Sequence, residues 1–246
     1  MRFQAFSLQH VVVIGLLMVL ILGLFLLRHR IAARPRIKSL IRRLLIAALL
    51  LPEAALQTWY LTAGIWDRST SLPLELCSLT MFLGGIMLLT GNRLLYEILY
   101  FAGIGGALQA VLTPNLDYPF PHFRFIHFFI VHMAIILAPL YMTWIEGYRP
   151  RWMSILRNMI FLNGAALLVA AVNWAIGSNY MFLMHKPSTP SVLDWLGPHP
   201  VYILAEELIA LLLFTVMYMI FFYLPDQMRQ KRRKKRPPTF STGKSI

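Results

Sequence analysis

The sequence has few charged residues, very few acidic ones and almost no cysteine. Charged residues make up 13% of the 246 residues, and 23 Lys and Arg accompany only 10 Asp and Glu. Soluble domains carry about 25% charged residues, so this composition excludes an ordinary soluble protein. Because Cys77 is the single cysteine, no disulfide forms within the chain and cysteine content does not indicate a redox compartment. The sequence also shows no internal repeat and no strand-like alternation of apolar and polar residues.

Long apolar stretches fill most of the chain instead. Apolar residues make up 58% of the sequence, and the mean hydropathy is +0.64. A helix of about 20 apolar residues crosses the hydrocarbon core of a membrane. The pattern predicts an all-α polytopic membrane protein with one transmembrane domain, residues 1–224. We expect a bundle of seven transmembrane helices at residues 10–27, 44–63, 72–90, 94–112, 123–145, 153–176 and 201–224.

The positions of the basic residues predict how this bundle is oriented. Nineteen of the 23 Lys and Arg lie in alternate loops and in the tail, with seven in residues 28–43 and eight in residues 229–244. Positive residues are retained on the cytoplasmic side. We therefore expect the N-terminus outside and the C-terminus inside, with residues 225–246 forming a disordered basic cytoplasmic tail. The net charge of +13 would also fit nucleic-acid binding, but contact with anionic lipid headgroups is the simpler interpretation. We expect membrane lipids and no nucleic acid as partners.

Polar residues inside apolar helices are candidates for function because burying them in lipid is costly. Cys77 lies in the first two turns of the third predicted helix, and the fifth carries Arg124, His127 and His132. Arg124 and His132 are about 80° apart around a helix and can line one cavity, whereas His127 and His132 are about 140° apart. A structural role is the alternative, since a lone buried cysteine commonly behaves as a small hydrophobe.

Other polar residues map to the same outer half of the predicted helices. They predict a polar cavity that opens toward the outer leaflet beneath the loop of residues 178–200. Glu53, beside Pro52, is the acidic residue nearest the predicted membrane centre. The histidine spacing does not match a metal-binding motif such as HExxH, so we expect neither a metal site nor a cofactor. The additional candidates for substrate binding are His10, Gln109, Asn173, Asn179, Lys186 and Glu206.

Several motifs together resemble a known family. They are Leu-Pro-Leu-Glu-Leu-Cys-Ser at 72–78, Tyr-Glu-Ile-Leu-Tyr-Phe-Ala-Gly at 96–103, Phe-Pro-His-Phe-Arg-Phe at 120–125 and Gly-Ser-Asn-Tyr-Met-Phe-Leu at 177–183. With them, residues 6–224 resemble the YwaF-like bacterial integral membrane proteins. That family is similar to the animal transmembrane protein 164, described as a cysteine-dependent phospholipid acyltransferase. The resemblance implies a bacterial plasma-membrane protein in which Cys77 carries the acyl group and a histidine, His132 or His127, is its base.

The first functional hypothesis is therefore a phospholipid acyltransferase or transacylase. In this hypothesis the Cys77 thiolate attacks a lipid ester and His132 removes the thiol proton. Arg124 or Lys186 would bind the lipid phosphate. The side-chain amide of Asn173 or Asn179 would donate to the oxyanion, a role for which the two residues are alternatives.

The second hypothesis is a small-molecule transporter or a ligand-sensing membrane protein without catalysis. Glu53, Glu206 and Gln109 would then form the binding or proton-coupling site together with the histidines. A purely structural protein, whose polar residues only pack the bundle, is the third alternative. The sequence specifies neither the acyl donor and acceptor nor the oligomeric state.

Overall fold

A computed structural model describes residues 3–187 and 192–234 of the chain. These residues form helices and turns, with no β-strand among them. Two π-helical turns, Leu99–Gly103 and Met219–Tyr223, join α5 to α6 and α9 to α10. The α-helices are α1 (Leu8–Leu26), α2 (Arg28–Ala32), α3 (Pro35–Thr62), α4 (Leu76–Thr90), α5 (Arg93–Ile98), α6 (Ile104–Leu112), α7 (Phe123–Trp144), α8 (Met153–Ile176), α9 (Val201–Tyr218) and α10 (Leu224–Lys234).

Five of the described helical segments are long and apolar enough to cross a membrane. The protein is thus an all-helical, multi-pass membrane protein. The two other predicted spans correspond to α3, which has 28 residues and begins with a basic stretch, and to α4, which is apolar but has only 15 residues. Seven spans and the orientation of the termini stay predictions. The five segments are Leu8–Leu26, Arg93–Leu112, Phe123–Trp144, Met153–Ile176 and Val201–Lys231.

Contacts between loops define two ends of the bundle. At one end the loop before α4 meets the loop after α8, as in the hydrogen bond of 2.9 Å from Leu72 N–H to the Tyr180 hydroxyl. Cys77 lies near this end, and we call it the Cys77 end. At the other end, the basic end, Lys38 Nζ lies 2.8 Å from a carboxylate oxygen of Glu146.

Helix α7 is the centre of the core. It packs against α1, α3, α4 and α6, and residues such as Phe129 and Ile135 are almost completely buried. A helix that is apolar on all sides is expected to be surrounded by others. Close packing of α4 against α3 depends on glycine, because a Cβ at Gly84 would lie 3.2 Å from a methyl carbon of Leu49. Small residues allow such approach between membrane helices.

Asn158 of α8 completes the hydrogen bonding of the first π-helical turn. Its Nδ2 donates to the Glu97 carbonyl at 2.9 Å, and its Oδ1 accepts from the Ala102 N–H at 3.3 Å. The neighbouring Arg157 lies 2.6 Å from the Glu97 carboxylate. A wider helical turn opens the i→i+4 ladder, so the α8 side chains stabilise the turn by binding the backbone groups beside it.

Three helix limits differ from the prediction by four residues or more, and each lies near a proline. Helix α3 begins at Pro35, nine residues before the predicted start of its span at residue 44, and proline is well suited to the first helical position. Helix α4 begins at Leu76 instead of residue 72, with Glu75 as an extended N-cap residue. Pro73 disfavours helical geometry at Leu72, and the Leu74 N–H donates to the Leu72 carbonyl in a tight turn before the helix. The last helix continues to Lys234, ten residues beyond the predicted end at 224. The π-helical turn just before Pro225 accommodates a residue without an N–H. The predicted tail beyond residue 234 lies outside the described residues.

We expect replacement of Asn158 to destabilise the bundle. Asn158→Leu keeps the number and branching of the side-chain heavy atoms but leaves the buried Glu97 carbonyl and Ala102 N–H without this partner, which costs about 1–3 kcal/mol. Thermal unfolding of the purified protein in detergent measures the loss. Asn163→Leu is the matched control, since Asn163 is exposed on the same helix and donates only to Met159 O of its own helix. Equal melting temperatures for the two variants would contradict the expectation.

Candidate functional site

Cys77 is the second residue of α4 and is directed toward the core. The side chain is partly buried and packs against the apolar core. Met81, one turn further along the same face, is completely buried, and residues at i and i+4 share one face of a helix. The Cys77 carbonyl accepts from Thr80 Oγ1 at 3.1 Å, whereas its thiol has no hydrogen-bond partner among the described residues. The thiol and an imidazole therefore do not form a hydrogen-bonded pair in this structure.

His132 of α7 has one ring nitrogen occupied and one free. Nδ1 lies 2.6 Å from the Phe128 carbonyl, and because a carbonyl only accepts, Nδ1 carries the proton. In the neutral ring Nε2 is then unprotonated. The residue is 8% exposed, and no buried side-chain nitrogen within the described residues lacks a partner. Nε2 has no hydrogen-bond partner among the described residues and is not completely enclosed by the protein, so its lone pair is unused.

His127, five residues earlier on α7, contacts a different group. Its Nε2 lies 3.3 Å from Glu53 Oε2 on α3. Gln57, one turn along α3, donates from Nε2 to Glu53 Oε1 and to the Ser71 carbonyl, both at 2.9 Å. These bonds link the middle of α3 to α7 and to the loop before α4.

The carboxylate of Glu53 lines a cleft between α3 and α4, which we call the α3–α4 cleft. Its volume is about 530 Å³, which lies in the range of small-molecule sites. A second groove of about 380 Å³, between α1 and α7, has almost entirely apolar walls. The carboxylate and amide groups of Glu53 and Gln57 therefore make the α3–α4 cleft the polar one of the two. The α3–α4 cleft is lined by Leu50, Glu53, Ala54, Gln57, Pro73 and Phe82.

Arg124 lies one turn before His127 on the same face of α7. Its guanidinium carbon is 5.6 Å from the centre of the Tyr60 ring on α3, and the group is close enough to Glu53 to act on it electrostatically. Gln57 and Tyr60 were not predicted as site residues. Their spacing from Glu53, i+4 and i+7, is the signal that could have identified them, because such residues share one helix face.

The loop after α8 is held by its own asparagines. Asn173 Nδ2 donates to the Tyr180 carbonyl at 2.9 Å, and its Oδ1 accepts from Ser178 Oγ and Tyr180 N–H. Asn179 Nδ2 donates to the His185 carbonyl at 2.8 Å, and its Oδ1 accepts from the His185 N–H at 3.2 Å. Both amide groups therefore stabilise the loop, and their predicted donation to an oxyanion would require these bonds to rearrange.

This loop also covers the beginning of α4. Glu75 Oε2 accepts from the Met181 N–H at 3.0 Å, two residues before Cys77. Lys186 lies further along, with Nζ 5.7 Å from the centre of the Tyr202 ring. Within the described part of the chain, the Lys186 ammonium lies against Tyr202 and 4.0 Å from Asp194 Oδ1 and contacts neither Cys77 nor Glu53, so its role toward a phosphate stays a prediction.

Three other predicted site residues lie apart from these groups. His10 is completely buried, and both of its nitrogens are occupied, by the Val111 carbonyl at 2.7 Å and the Phe6 N–H at 2.9 Å. Gln109 is exposed on α6, and Glu206 is half-buried on α9. Across residues 3–187 and 192–234, no group of three or more His, Cys, Asp or Glu is placed to hold a metal ion.

Helices of this length and hydropathy, joined in one bundle with ionisable groups inside it, define a multi-pass membrane protein with an internal polar site. A model of the TMEM164 family matches residues 5–218, which is most of the chain. The protein therefore belongs to the TMEM164 family. No curated protein matches the chain, and no solved structure does.

We expect the Tyr180 hydroxyl to hold the loop before α4 in place. It accepts from the Leu72 N–H and donates to the Arg68 carbonyl, each at 2.9 Å. Tyr180→Phe removes both bonds, so the Leu72 amide should exchange its hydrogen roughly five- to tenfold faster, as the loss of about 1–1.4 kcal/mol implies. Hydrogen–deuterium exchange by mass spectrometry measures this. Tyr118→Phe, at an exposed tyrosine of the same end, should leave the rate unchanged; an equal effect would refute a specific role.

Proposed function

We propose that this TMEM164-family protein is a cysteine-dependent phospholipid acyltransferase, acting as a transacylase in a bacterial plasma membrane. The observation that carries the proposal is the presence of an inward-directed thiol, Cys77 on α4, and a core histidine, His132 on α7, whose Nε2 has no hydrogen-bond partner, on two helices that pack against each other. The resemblance to a cysteine-dependent acyltransferase supports the same pair. The substrate enters from the outer leaflet, if the positive charge at the basic end is cytoplasmic.

In the first half-reaction the acyl group moves from the lipid to the protein. The thiol proton passes to His132 Nε2, and the Cys77 sulfur attacks the ester carbonyl carbon. The carbon–oxygen ester bond then breaks. The departing lysolipid oxygen takes the proton back from His132, and the acyl group remains on Cys77 as a thioester.

In the second half-reaction the hydroxyl of an acceptor lysolipid attacks the thioester. His132 Nε2 accepts the hydroxyl proton, the carbon–sulfur bond breaks, and the thiolate takes up that proton. A new ester and the free thiol result, so atoms and protons balance without a cofactor. Since the thiol and imidazole are not hydrogen-bonded in this structure, substrate binding has to bring them together, as is common for catalytic contacts that are loose without substrate.

The other predicted residues have supporting roles in this proposal. Arg124 is the phosphate-binding group, because its guanidinium has a planar set of donors that suits phosphate, with Lys186 as the alternative. His127 is the second candidate for the base, although its Nε2 already contacts Glu53. Asn173 and Asn179 remain the proposed oxyanion donors only if the loop rearranges.

We expect Cys77→Ala to abolish transacylation by the purified protein in lipid vesicles, because the acyl carrier is lost. His132→Gln should lower the rate by about 10²–10⁴-fold, which is the usual contribution of a general base. The assay follows a radiolabelled acyl chain from a phospholipid to a lysolipid. His29→Gln is the control, since His29 is exposed on α2 at the basic end. Full activity of Cys77→Ala would end the proposal.

A second candidate function is ligand binding or transport without catalysis. The observation that favours it is that the polar cleft contains Glu53 and not Cys77. A carboxylate and a histidine in contact inside a membrane protein are typical of binding and proton-coupling sites.

Acyl transfer and transport can be distinguished experimentally, because acyl transfer requires Cys77 and transport requires the charge of Glu53. For a transporter, solute uptake by proteoliposomes should be lost in Glu53→Gln, because the charge is removed, and should survive in Cys77→Ala. An uptake signal that is insensitive to Glu53→Gln would exclude this candidate.

A further inference from the structure

A row of polar side chains lies between α3 and α7, and the members of the row on α3 have no role in the proposed acyl-transfer steps. Glu53, Gln57 and Tyr60 share one face of α3. Opposite them on α7 lie His127, which contacts Glu53, and Arg124, which lies over the Tyr60 ring. Polar groups in a membrane bundle are costly, so a row of five indicates either a ligand-binding site or a structural hydrogen-bond network. A structural network uses the hydrogen-bonding capacity of its members, whereas a binding site leaves some of it unused.

The Glu53 carboxylate has acceptor capacity left over. A carboxylate has about four acceptor positions, and the contacts with Gln57 and His127 use one position on each oxygen. The contact of 3.3 Å with His127 is longer than the 2.7–2.9 Å typical of a charge-assisted hydrogen bond. Glu53 is also the only charged side chain among those that line the α3–α4 cleft. The cleft therefore presents an anionic acceptor to whatever enters it.

Arg124 provides the complementary charge. Within the described part of the chain its guanidinium has no carboxylate within 4.0 Å, although it is close enough to Glu53 for an electrostatic effect. One carboxylate with spare acceptor positions and one guanidinium without an ion-pair partner thus lie along the same α3–α7 face. This arrangement complements a group that carries a cation, at Glu53 in the cleft, and an anion, toward Arg124 outside the cleft lining.

The walls of the cleft indicate how such a group reaches it. Ala54 and Phe82 are exposed on the outer surface of the bundle, so the cleft opens sideways, where lipid lies in a membrane. Pro73, on the wall, precedes Cys77 by four residues. When a ligand enters from the side and places its polar group at Glu53, the part of the ligand that adjoins this group therefore lies toward the beginning of α4.

We propose that the α3–α4 cleft binds the headgroup of a zwitterionic phospholipid, with the ammonium group against Glu53 and the phosphate toward Arg124. The inference rests on the proposed function, because it identifies the headgroup class of the acyl-transfer substrate. An anionic lipid without an ammonium group leaves Glu53 without a cation and brings a second negative charge to it. The site should therefore select against such a lipid.

The test measures lipid binding in the Cys77→Ala protein, so that acyl transfer cannot contribute to the result. The probes are phosphatidylethanolamine and phosphatidylglycerol with identical acyl chains, titrated onto the detergent-purified protein and quantified by native mass spectrometry. Glu53→Gln keeps the size of the side chain and removes its charge. We expect this change to weaken phosphatidylethanolamine binding roughly tenfold or more, as loss of a charged hydrogen bond implies, and not to weaken phosphatidylglycerol binding.

Two further variants make the outcome specific. Glu207→Gln is the matched control, since it removes the same charge from α9 without changing the cleft, and it should retain the preference for phosphatidylethanolamine. Ala54→Phe fills the cleft without touching the carboxylate and should abolish that preference. Loss of the preference in Glu207→Gln, or its retention in both Glu53→Gln and Ala54→Phe, would overturn the assignment.

The source of the ammonium group is tested by competition. Free ethanolamine at millimolar concentration should not displace the lipid, because it lacks the phosphate and the acyl chains. Complete displacement would assign the cleft to a soluble amine and overturn the lipid proposal. If headgroup selectivity fails while Cys77-dependent transacylation persists, only the headgroup assignment falls. If selectivity holds without transacylation, the catalytic proposal falls.

Discussion

Every polar group buried in this bundle depends on a partner supplied by the protein, because lipid offers none. That constraint explains why Asn158 bonds the backbone beside a π-helical turn and why Glu97, 2% exposed, is paired with Arg157. It also explains the loop after α8, where Asn173 bonds three groups of residues 178–180. The same constraint makes any group with spare bonding capacity informative, since satisfied groups hold the fold and unsatisfied ones can bind something else.

Applied to the predicted site residues, this criterion divides them into two groups. His10, Asn173 and Asn179 use their polar atoms within the fold, so their first role is structural. The Cys77 thiol, the unpaired Nε2 of His132 and the open acceptor positions of Glu53 are different, because each keeps bonding capacity that the fold does not use. An unpaired polar group costs free energy in the folded state, and a function that needs the group is the simplest reason to retain it.

The sequence predicted the all-helical membrane class well, because the length and hydropathy of a segment are local properties. It predicted the contacts less well. Glu53 was recognised as costly, but its partner His127 is 74 residues away, and no local pattern identifies a pair of that separation. The start of α4 was misplaced because the preference of Pro73 for the first helical turn competes with the extended conformation of the residue before it. The extension through Pro225 depended on a π-helical turn that periodicity does not indicate.

The proposed catalytic pair and the α3–α4 cleft are connected through α7 and the start of α4. His127, beside the cleft, and His132, the proposed base, lie on one helix, and five residues of helix rise about 7.5 Å. Pro73, on the wall of the cleft, and Cys77 belong to one short segment. A ligand that draws α4 toward α3 at the cleft would thus move the thiol relative to the α7 imidazole. Binding of the correct headgroup could in this way assemble the pair that is not hydrogen-bonded without it, so that recognition and reactivity would depend on the same displacement.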